Sequence, residues 1–175
     1  LDNTILEATK LLGRQAGLTL DTVVREVLNA GTNVTYCPKV ADGVETAVTS
    51  RTNLDATCEL TVSVVQEVVA KLRGQNAPTI GGKYVAIIHP YVAYGLMRDP
   101  EWIEAHKYAK PENLFTGEIG EIGGVRFVQT TEAKIYSGGV FGTLIFGEGA
   151  YGVTEITGGG LETIVKQKGS AGTAD

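Results

Sequence analysis

The sequence predicts an α+β protein. Three observations support this class: apolar residues recur at helical spacing in the first thirty positions, strands and helices alternate between Gly82 and Ala133, and the pattern after Ala133 is extended. Glycine, at 23 of 175 residues, is nearly twice as frequent as the usual roughly 7%. Most of the excess follows Gly117, which favours turns and strands in the second half.

The central stretch, Gly82 to Ala133, predicts a compact α/β unit. A strand is expected at Lys83 to His89, and its apolar run Tyr84 to Ile88 is typical of a strand buried on both faces. Pro90 ends that strand and fits the first turn of a short helix. A second helix is expected to begin at Asp99-Pro100-Glu101, with the aspartate as N-cap, the proline at the first helical position and the glutamate beside the positive helix end.

The same unit continues through a glycine-rich crossover into a returning strand. The crossover contains Gly117-Glu118-Ile119-Gly120-Glu121-Ile122-Gly123-Gly124, and the strand is Val125 to Val128. We expect this strand to pair with the one at Lys83 to His89, so that two strands and two helices form one unit.

The N-terminal region predicts two helices. The first begins at the capping-box pattern Thr4 to Glu7 and is expected to be interrupted by Gly13 and Gly17. The second has apolar residues at Leu20, Val23, Val24, Val27 and Leu28 and is expected to end at Asn29-Ala30-Gly31.

The remaining segments carry weaker signals. Turn signals at Cys37-Pro38 and Asp42-Gly43 predict a hairpin or strap within residues 32–57. Valines between Val62 and Val69 suit a helix to before Gly74 or a strand equally well. Beyond Ala133, antiparallel strands are expected at three places, which are Val140 to Phe146, Tyr151 to Ile156 and Leu161 to Lys166.

Charge and cysteine content exclude some classes of function. The formal charge is −5 and basic residues form no run, which argues against a protein that reads nucleic-acid sequence but allows loose contact with DNA. No apolar stretch reaches the roughly 18 to 20 residues of a membrane span, and we expect no signal peptide. Cys37 and Cys58 lack metal spacing and are expected to be free thiols.

The residues predict no catalytic, cofactor-binding or metal site. His89 follows a strand, where active-site residues are common, but a histidine that caps the next helix explains it better. His106, Glu101 and Glu104 are interpreted as solvated residues of a helix surface. The glycine-rich segments lack the Lys-Ser/Thr of a phosphate-binding loop, and no serine lies in a Gly-x-Ser-x-Gly turn.

Aromatic residues concentrate in the central unit. They are Trp102, Tyr84, Tyr91, Tyr94, Tyr108 and Phe115. We expect most of them to form a small core, and any that remain exposed to anchor contacts between subunits, because aromatic residues are enriched at interface centres.

Three segments, IIHPYVAYGLMRDPEW, LFTGEIGEIGGVRFVQT and VFGTLIFGEGAYGV, resemble in order the major capsid protein of tailed bacteriophages, in particular the branch of podovirus N-four. The resemblance implies the Hong Kong 97-type fold. It places a discontinuous peripheral domain at residues 1–57 and 136–175 and an inserted axial domain at residues 58–135. It also favours the helix over the strand near Val65 to Leu72.

The function that the resemblance implies is structural. The subunit would form hexamers and pentamers of an icosahedral shell around double-stranded DNA, in the virion, after synthesis in the host cytoplasm. Scaffolding and decoration proteins are further expected partners, and no cofactor is expected. The alternatives are a small hydrolase that uses His89 and a carboxylate, or a β-rich binding module of a phage tail or host surface protein.

The ends of the chain add one expectation. It begins at Leu1 and ends in a small-residue segment, Gly169 to Asp175. Members of the similar family carry an N-terminal arm, an extended loop and a further C-terminal segment outside this region. We therefore expect the 175 residues to be the core of a longer subunit.

Overall fold

A computed structural model describes residues 2–107 and 120–154. The helices in these ranges are α1 (Asp2–Asn29), α2 (Val62–Gly74), α3 (Pro90–Met97) and α4 (Pro100–Lys107), with a short 3-10 turn at Arg51–Asn53. The strands are β1 (Lys39–Ala41), β2 (Val44–Thr46), β3 (Tyr84–Ile88), β4 (Glu121–Ile122), β5 (Val125–Gln129), β6 (Ile135–Tyr136), β7 (Val140–Phe141) and β8 (Leu144–Phe146). Helices and strands are therefore both present, as the predicted α+β class requires.

A four-stranded sheet lies at the centre, in the order β4-β5-β3-β8. β3 pairs in parallel with β5, and Tyr84 stands beside Val125 in the register. On its other side β3 pairs antiparallel with β8. The predicted pairing of the strand before Pro90 with the strand at Val125 is thus confirmed.

The core covers one face of this sheet. Tyr84, Ala86 and Ile88 of β3 are buried, whereas the alternating residues Val85 and Ile87 are only half-buried. The prediction that this strand is buried on both faces was therefore wrong. Among the described residues, α2, α3 and α4 contribute side chains to the same core as Tyr84, Ala86 and Ile88, so the apolar run meets a hydrophobic layer on that face.

α2 forms because its buried face outweighs the low helix propensity of valine. Val62, Val65 and Val69 lie at spacings of three and four residues and are all buried in the core. The Thr61 hydroxyl accepts a hydrogen bond from the Val64 backbone N–H at 3.4 Å and caps the helix. The helix is therefore confirmed over the strand that the residues alone left open.

The N-terminal region is one helix, not two. α1 runs without interruption through Gly13 and Gly17 to Asn29, so the predicted break was wrong. A glycine in a helix interior costs only about 0.5–1 kcal/mol relative to alanine, and a continuous helix of 28 residues can absorb two such losses. Most α1 side chains are exposed to solvent.

Residues after α1 confirm the predicted hairpin. β1 and β2 pair antiparallel, and Asp42 and Gly43 form the turn with φ of 52° and 77°. The predicted strand Val140 to Phe146 is broken into β7 and β8 at Gly142, whose backbone N–H donates to the Lys134 carbonyl at 2.7 Å. A Cβ at this glycine would lie 2.9 Å from Asn29 Oδ1, so the close approach of the end of α1 shapes this break.

The other two predicted strands lie partly or wholly outside the described residues. Residues 151–154 form no strand in the part of the chain that the structure describes, so the strand predicted at Tyr151 is not seen there. The remainder of that strand and the one predicted at Leu161 to Lys166 lie outside the described residues. The division into peripheral and axial domains stays a prediction. β8 comes from the stretch assigned to the peripheral domain, and it pairs within the central sheet beside β3.

Candidate interaction surfaces

His89 is a structural cap. Its Nδ1 accepts a hydrogen bond from the Tyr91 backbone N–H at 3.2 Å, which satisfies one free donor at the start of α3. The residue is 7% exposed, and its ring lies 4.7 Å from the Phe141 ring, centroid to centroid. The interpretation of His89 as a helix cap is therefore confirmed. His106, the other histidine, lies in α4.

Asp99 joins two helices through its two carboxylate oxygens. Oδ1 accepts from the Glu101 backbone N–H at 2.9 Å, which confirms the predicted cap of α4. Oδ2 accepts from the Val62 backbone N–H at 2.8 Å, at the start of α2. One carboxylate therefore satisfies one N-terminal donor in each of two helices, and the bond to Val62 joins residues that are 37 positions apart in sequence.

The acidic residues and glycines singled out in the sequence lie, where the structure describes them, on an exposed helix surface or in a turn. Glu101 and Glu104 are exposed on α4. Gly123 and Gly124 form a two-residue turn between β4 and β5 with φ of 62° and 82°, which only glycine adopts readily. Gly117 and the triple glycine at 158–160 lie outside the described residues.

A shallow groove follows the surface of α1. Its volume is about 380 Å³. The residues that line it are Leu11, Arg14, Gln15, Leu18, Thr19, Thr22 and Val23, which include no carboxylate, imidazole or thiol. Within residues 2–107 and 120–154, no group of three or more His, Cys, Asp or Glu side chains is placed to hold a metal ion.

Both cysteines are free, as predicted, and both are partly buried. Burial raises the pKa of the Cys37 thiol to about 11, and the nearby Cys58 thiol adds to the shift. A thiol with such a pKa is almost entirely protonated at neutral pH and is a poor nucleophile. Cys37 therefore acts as a small apolar residue at neutral pH.

One ion pair and one cation–π contact involve the segment between α1 and α2. Lys39 of β1 pairs with Asp55, which also accepts from the Thr57 backbone N–H at 2.9 Å. The Lys39 ammonium, with help from Thr57, holds the pKa of the Asp55 carboxyl well below its usual value. Arg51 places its guanidinium 3.7 Å from the centre of the Tyr136 ring, so this segment also contacts β6.

The aromatic residues divide into core and surface. Tyr84 and Trp102 are buried, and the Trp102 ring packs edge-on against Phe127. Tyr91 and Tyr94, three residues apart on α3, are 73% and 60% exposed. Tyr108 and Phe115 lie outside the described residues. Of the four of these aromatic residues that the structure describes, two are therefore buried, and the two tyrosines of α3 form an exposed aromatic surface.

α1 is anchored to the described part of the protein near its C-terminal end. Arg25 donates to the Glu132 carbonyl oxygen at 2.8 Å, and Lys134 forms an ion pair with Glu26. The Lys134 ammonium holds the pKa of Glu26 below its usual value. The rest of α1 exposes large apolar side chains, which are Leu6, Leu11, Leu12, Leu18, Leu20, Val23, Val24 and Val27.

These features define an α+β protein whose described histidine and cysteine side chains serve packing and capping, and which presents apolar side chains to solvent on α1 and α3. Such surfaces are characteristic of proteins that bind other chains. Among the described residues, no helix combines the length and apolar character that a membrane crossing requires.

Comparison with protein families identifies the chain. A family model described as phage capsid protein matches residues 1–173. The protein therefore belongs to the phage capsid proteins, which are structural proteins of the virion. Comparisons with curated proteins and with solved structures gave no match.

Proposed function

We propose that this protein is the major capsid subunit of a tailed bacteriophage of the podovirus N-four type, with the Hong Kong 97-type fold. Copies of it assemble into hexamers and pentamers of an icosahedral shell that encloses double-stranded DNA. The observation that carries the proposal is the match to the phage capsid family over residues 1–173. The three sequence segments that resemble the N-four branch support the finer assignment.

The exposed apolar surfaces support self-assembly. Tyr91 and Tyr94 present two large rings to solvent, and α1 presents a row of leucines and valines. A monomer gains nothing from this exposure, whereas a shell subunit buries such surfaces against its neighbours. The negative charge of −5 fits a protein whose contact with packaged DNA is weak and independent of sequence.

The remaining parts of the proposal concern partners and location. The subunit is made in the host cytoplasm, and scaffolding or decoration proteins join the shell. No described residue has a catalytic role in this proposal, and no cofactor is needed. Residues 1–57 with 136–175 form the peripheral domain, and residues 58–135 form the axial domain around the centre of each capsomer.

Electron microscopy tests this function directly. The protein is expressed in bacteria from its complete gene, and particles are purified by sedimentation. Closed shells with hexameric and pentameric capsomers are the expected result. A protein that remains a monomer under all assembly conditions, with or without a scaffold, contradicts the proposal and favours a binding module instead.

A double substitution of the exposed tyrosines tests the role of this aromatic surface in assembly. Tyr91→Ser with Tyr94→Ser removes the exposed aromatic surface of α3. Because both rings are exposed, we expect the melting temperature to change little while the yield of shells falls. The control is Glu104→Ser, on the neighbouring helix α4, whose exposed side chain is expected to leave the yield unchanged.

A further inference from the structure

One row of residues on α1 has the spacing of a coiled-coil seam. Successive members are four and three residues apart, the alternation that keeps side chains on one stripe of a helix. We call these residues the α1 seam: Leu6, Lys10, Gly13, Gly17, Leu20, Val24 and Val27, all of them exposed. The C-terminal end of the seam lies near Arg25 and Glu26, whose contacts anchor α1 to the described part of the subunit.

The two glycines at the middle of the seam have no packing role within the described subunit. A Cβ built on Gly13 or Gly17 meets no atom within 4 Å. Glycine weakens a helix interior relative to alanine, and neither glycine here has a positive φ that would require it. A close approach by another backbone would account for both glycines, because a missing Cβ lets two helices cross at the shortest distance.

The charges beside the seam are arranged for a second copy of α1 that runs in the opposite direction. Asp21 lies eleven residues after the seam residue Lys10, which is close to three helical turns, so Asp21 lies beside the seam on the side of Lys10. In antiparallel helices, the same flank of each helix meets at the contact. Neither side chain forms an ion pair among the described residues of the subunit.

A single register satisfies both features. When the residue numbers of facing positions add up to about 30, Gly13 lies opposite Gly17 of the second copy, and Leu6 lies opposite Val24. Lys10 then lies one position from Asp21 of the second copy, on the same flank. Two-fold symmetry repeats each contact, so two glycine crossings, two apolar contacts and two opposite-charge pairs form at once.

The size of the seam fits a weak contact. A helix of 28 residues is about 42 Å long, and one face about 10 Å wide covers about 400 Å². This is about half of the roughly 800 Å² per partner in a stable complex. One such contact is too small to hold two free subunits firmly, but repeated contacts within a shell add up through effective concentration.

We propose that α1 is a two-fold contact between copies of this chain, in which antiparallel α1 seams cross at Gly13 and Gly17 and Lys10 pairs with Asp21 of the second copy. The proposal rests on the proposed shell function and adds one of its interfaces. It would bury four of the eight large apolar side chains that α1 exposes, which are Leu6, Leu20, Val24 and Val27.

Exchange of the two charges tests the contact in the complete protein. Lys10→Glu and Asp21→Lys each place like charges opposite one another, so each variant alone should self-associate about tenfold more weakly, or give fewer shells. An equimolar mixture should regain association, because a Lys10→Glu copy then faces an Asp21→Lys copy with opposite charges at both pairs. Sedimentation velocity up to about millimolar concentration, together with the shell yield, measures this.

The glycines provide an independent variant. Gly13→Gln with Gly17→Gln inserts long polar side chains of good helix propensity, so the melting temperature of the subunit should stay equal or rise while association falls. The matched control is Gln15→Ala, on the opposite face of α1, which should change neither property.

The outcomes separate this contact from the proposed function. Restored association in the mixture supports the contact. Shells that form equally well in both single-charge variants refute the contact but leave the shell function standing. Single variants that both lose association without recovery in the mixture also refute this register. A wild-type protein that is monomeric at all concentrations and forms no shells refutes the contact and the proposed function together.

Discussion

Asp99→Ala removes one side chain and two helix caps. The Glu101 backbone N–H at the start of α4 loses an acceptor at 2.9 Å, and the loss of such a cap costs about 0.5–2 kcal/mol. The Val62 backbone N–H loses an acceptor at 2.8 Å, in a residue that is 1% exposed. A buried donor without a partner costs about 1–3 kcal/mol.

We therefore expect the free energy of unfolding to fall by about 1.5–5 kcal/mol, the sum of the two effects. That is a large share of the roughly 5–15 kcal/mol that stabilises a typical domain. Urea unfolding followed by far-ultraviolet circular dichroism measures the change. Asp99→Asn retains one carbonyl oxygen and replaces the other oxygen with an NH₂ group, so its loss should lie between wild type and Asp99→Ala.

Glu104→Ala is the matched control for this experiment. It removes an exposed carboxylate from α4 and should change the free energy of unfolding by no more than about 0.5 kcal/mol. If Asp99→Ala is as stable as this control, Asp99 does not join the two helices in solution. If Asp99→Asn is as stable as wild type, one acceptor is sufficient and the sum of two separate contributions is refuted.

Two further predictions concern packing and the cysteines. Gly147→Ala should destabilise the protein by about 1–3 kcal/mol, because a Cβ there overlaps the Pro78 carbonyl oxygen. The control is Gly152→Ala, whose Cβ meets no atom within 4 Å. Equal melting temperatures of the two variants would contradict the overlap. Thiol titration of the unfolded, non-reduced protein should find two thiols, and finding none would contradict the free cysteines. The pKa of Cys37 rises from 9.0 to about 11 on folding, so its contribution to stability is complete below pH 9 and is lost as pH rises toward 11, by up to about 1.4 kcal/mol per pH unit. Cys37→Ala should lack this component, and an unchanged pH profile would refute the burial of the thiol.

The central unit could be predicted from sequence because its signals are local. Pro90 and the residues Asp99-Pro100-Glu101 each act within one helical turn, and their positions predicted the starts of α3 and α4 correctly. The second bond of Asp99, to Val62, could not be predicted in this way. It joins residues 37 positions apart, and only the packing of α2 against α4 brings them together.

The one-sided core illustrates a similar limit. A run of apolar residues at Tyr84 to Ile88 indicates burial but does not say how many faces are covered. That number depends on where the helices pack, and here they cover the face of Tyr84, Ala86 and Ile88. The exposed apolar surfaces were harder still to predict, since exposed tyrosines and leucines have the same sequence signature as core residues.

The break that was wrongly predicted in the N-terminal region lies at the two glycines of the proposed contact. Gly13 and Gly17 predicted a helix end, yet α1 continues through both. Local propensity and global structure therefore disagree at these positions, and such disagreements concentrate where a protein gives up stability for function. A subunit that folds alone gains nothing from either glycine, because each leaves open space beside the helix. A subunit that must place its helix against a second copy gains a short crossing distance. The cost to the isolated helix and the benefit to the assembly thus arise from the same missing Cβ atoms.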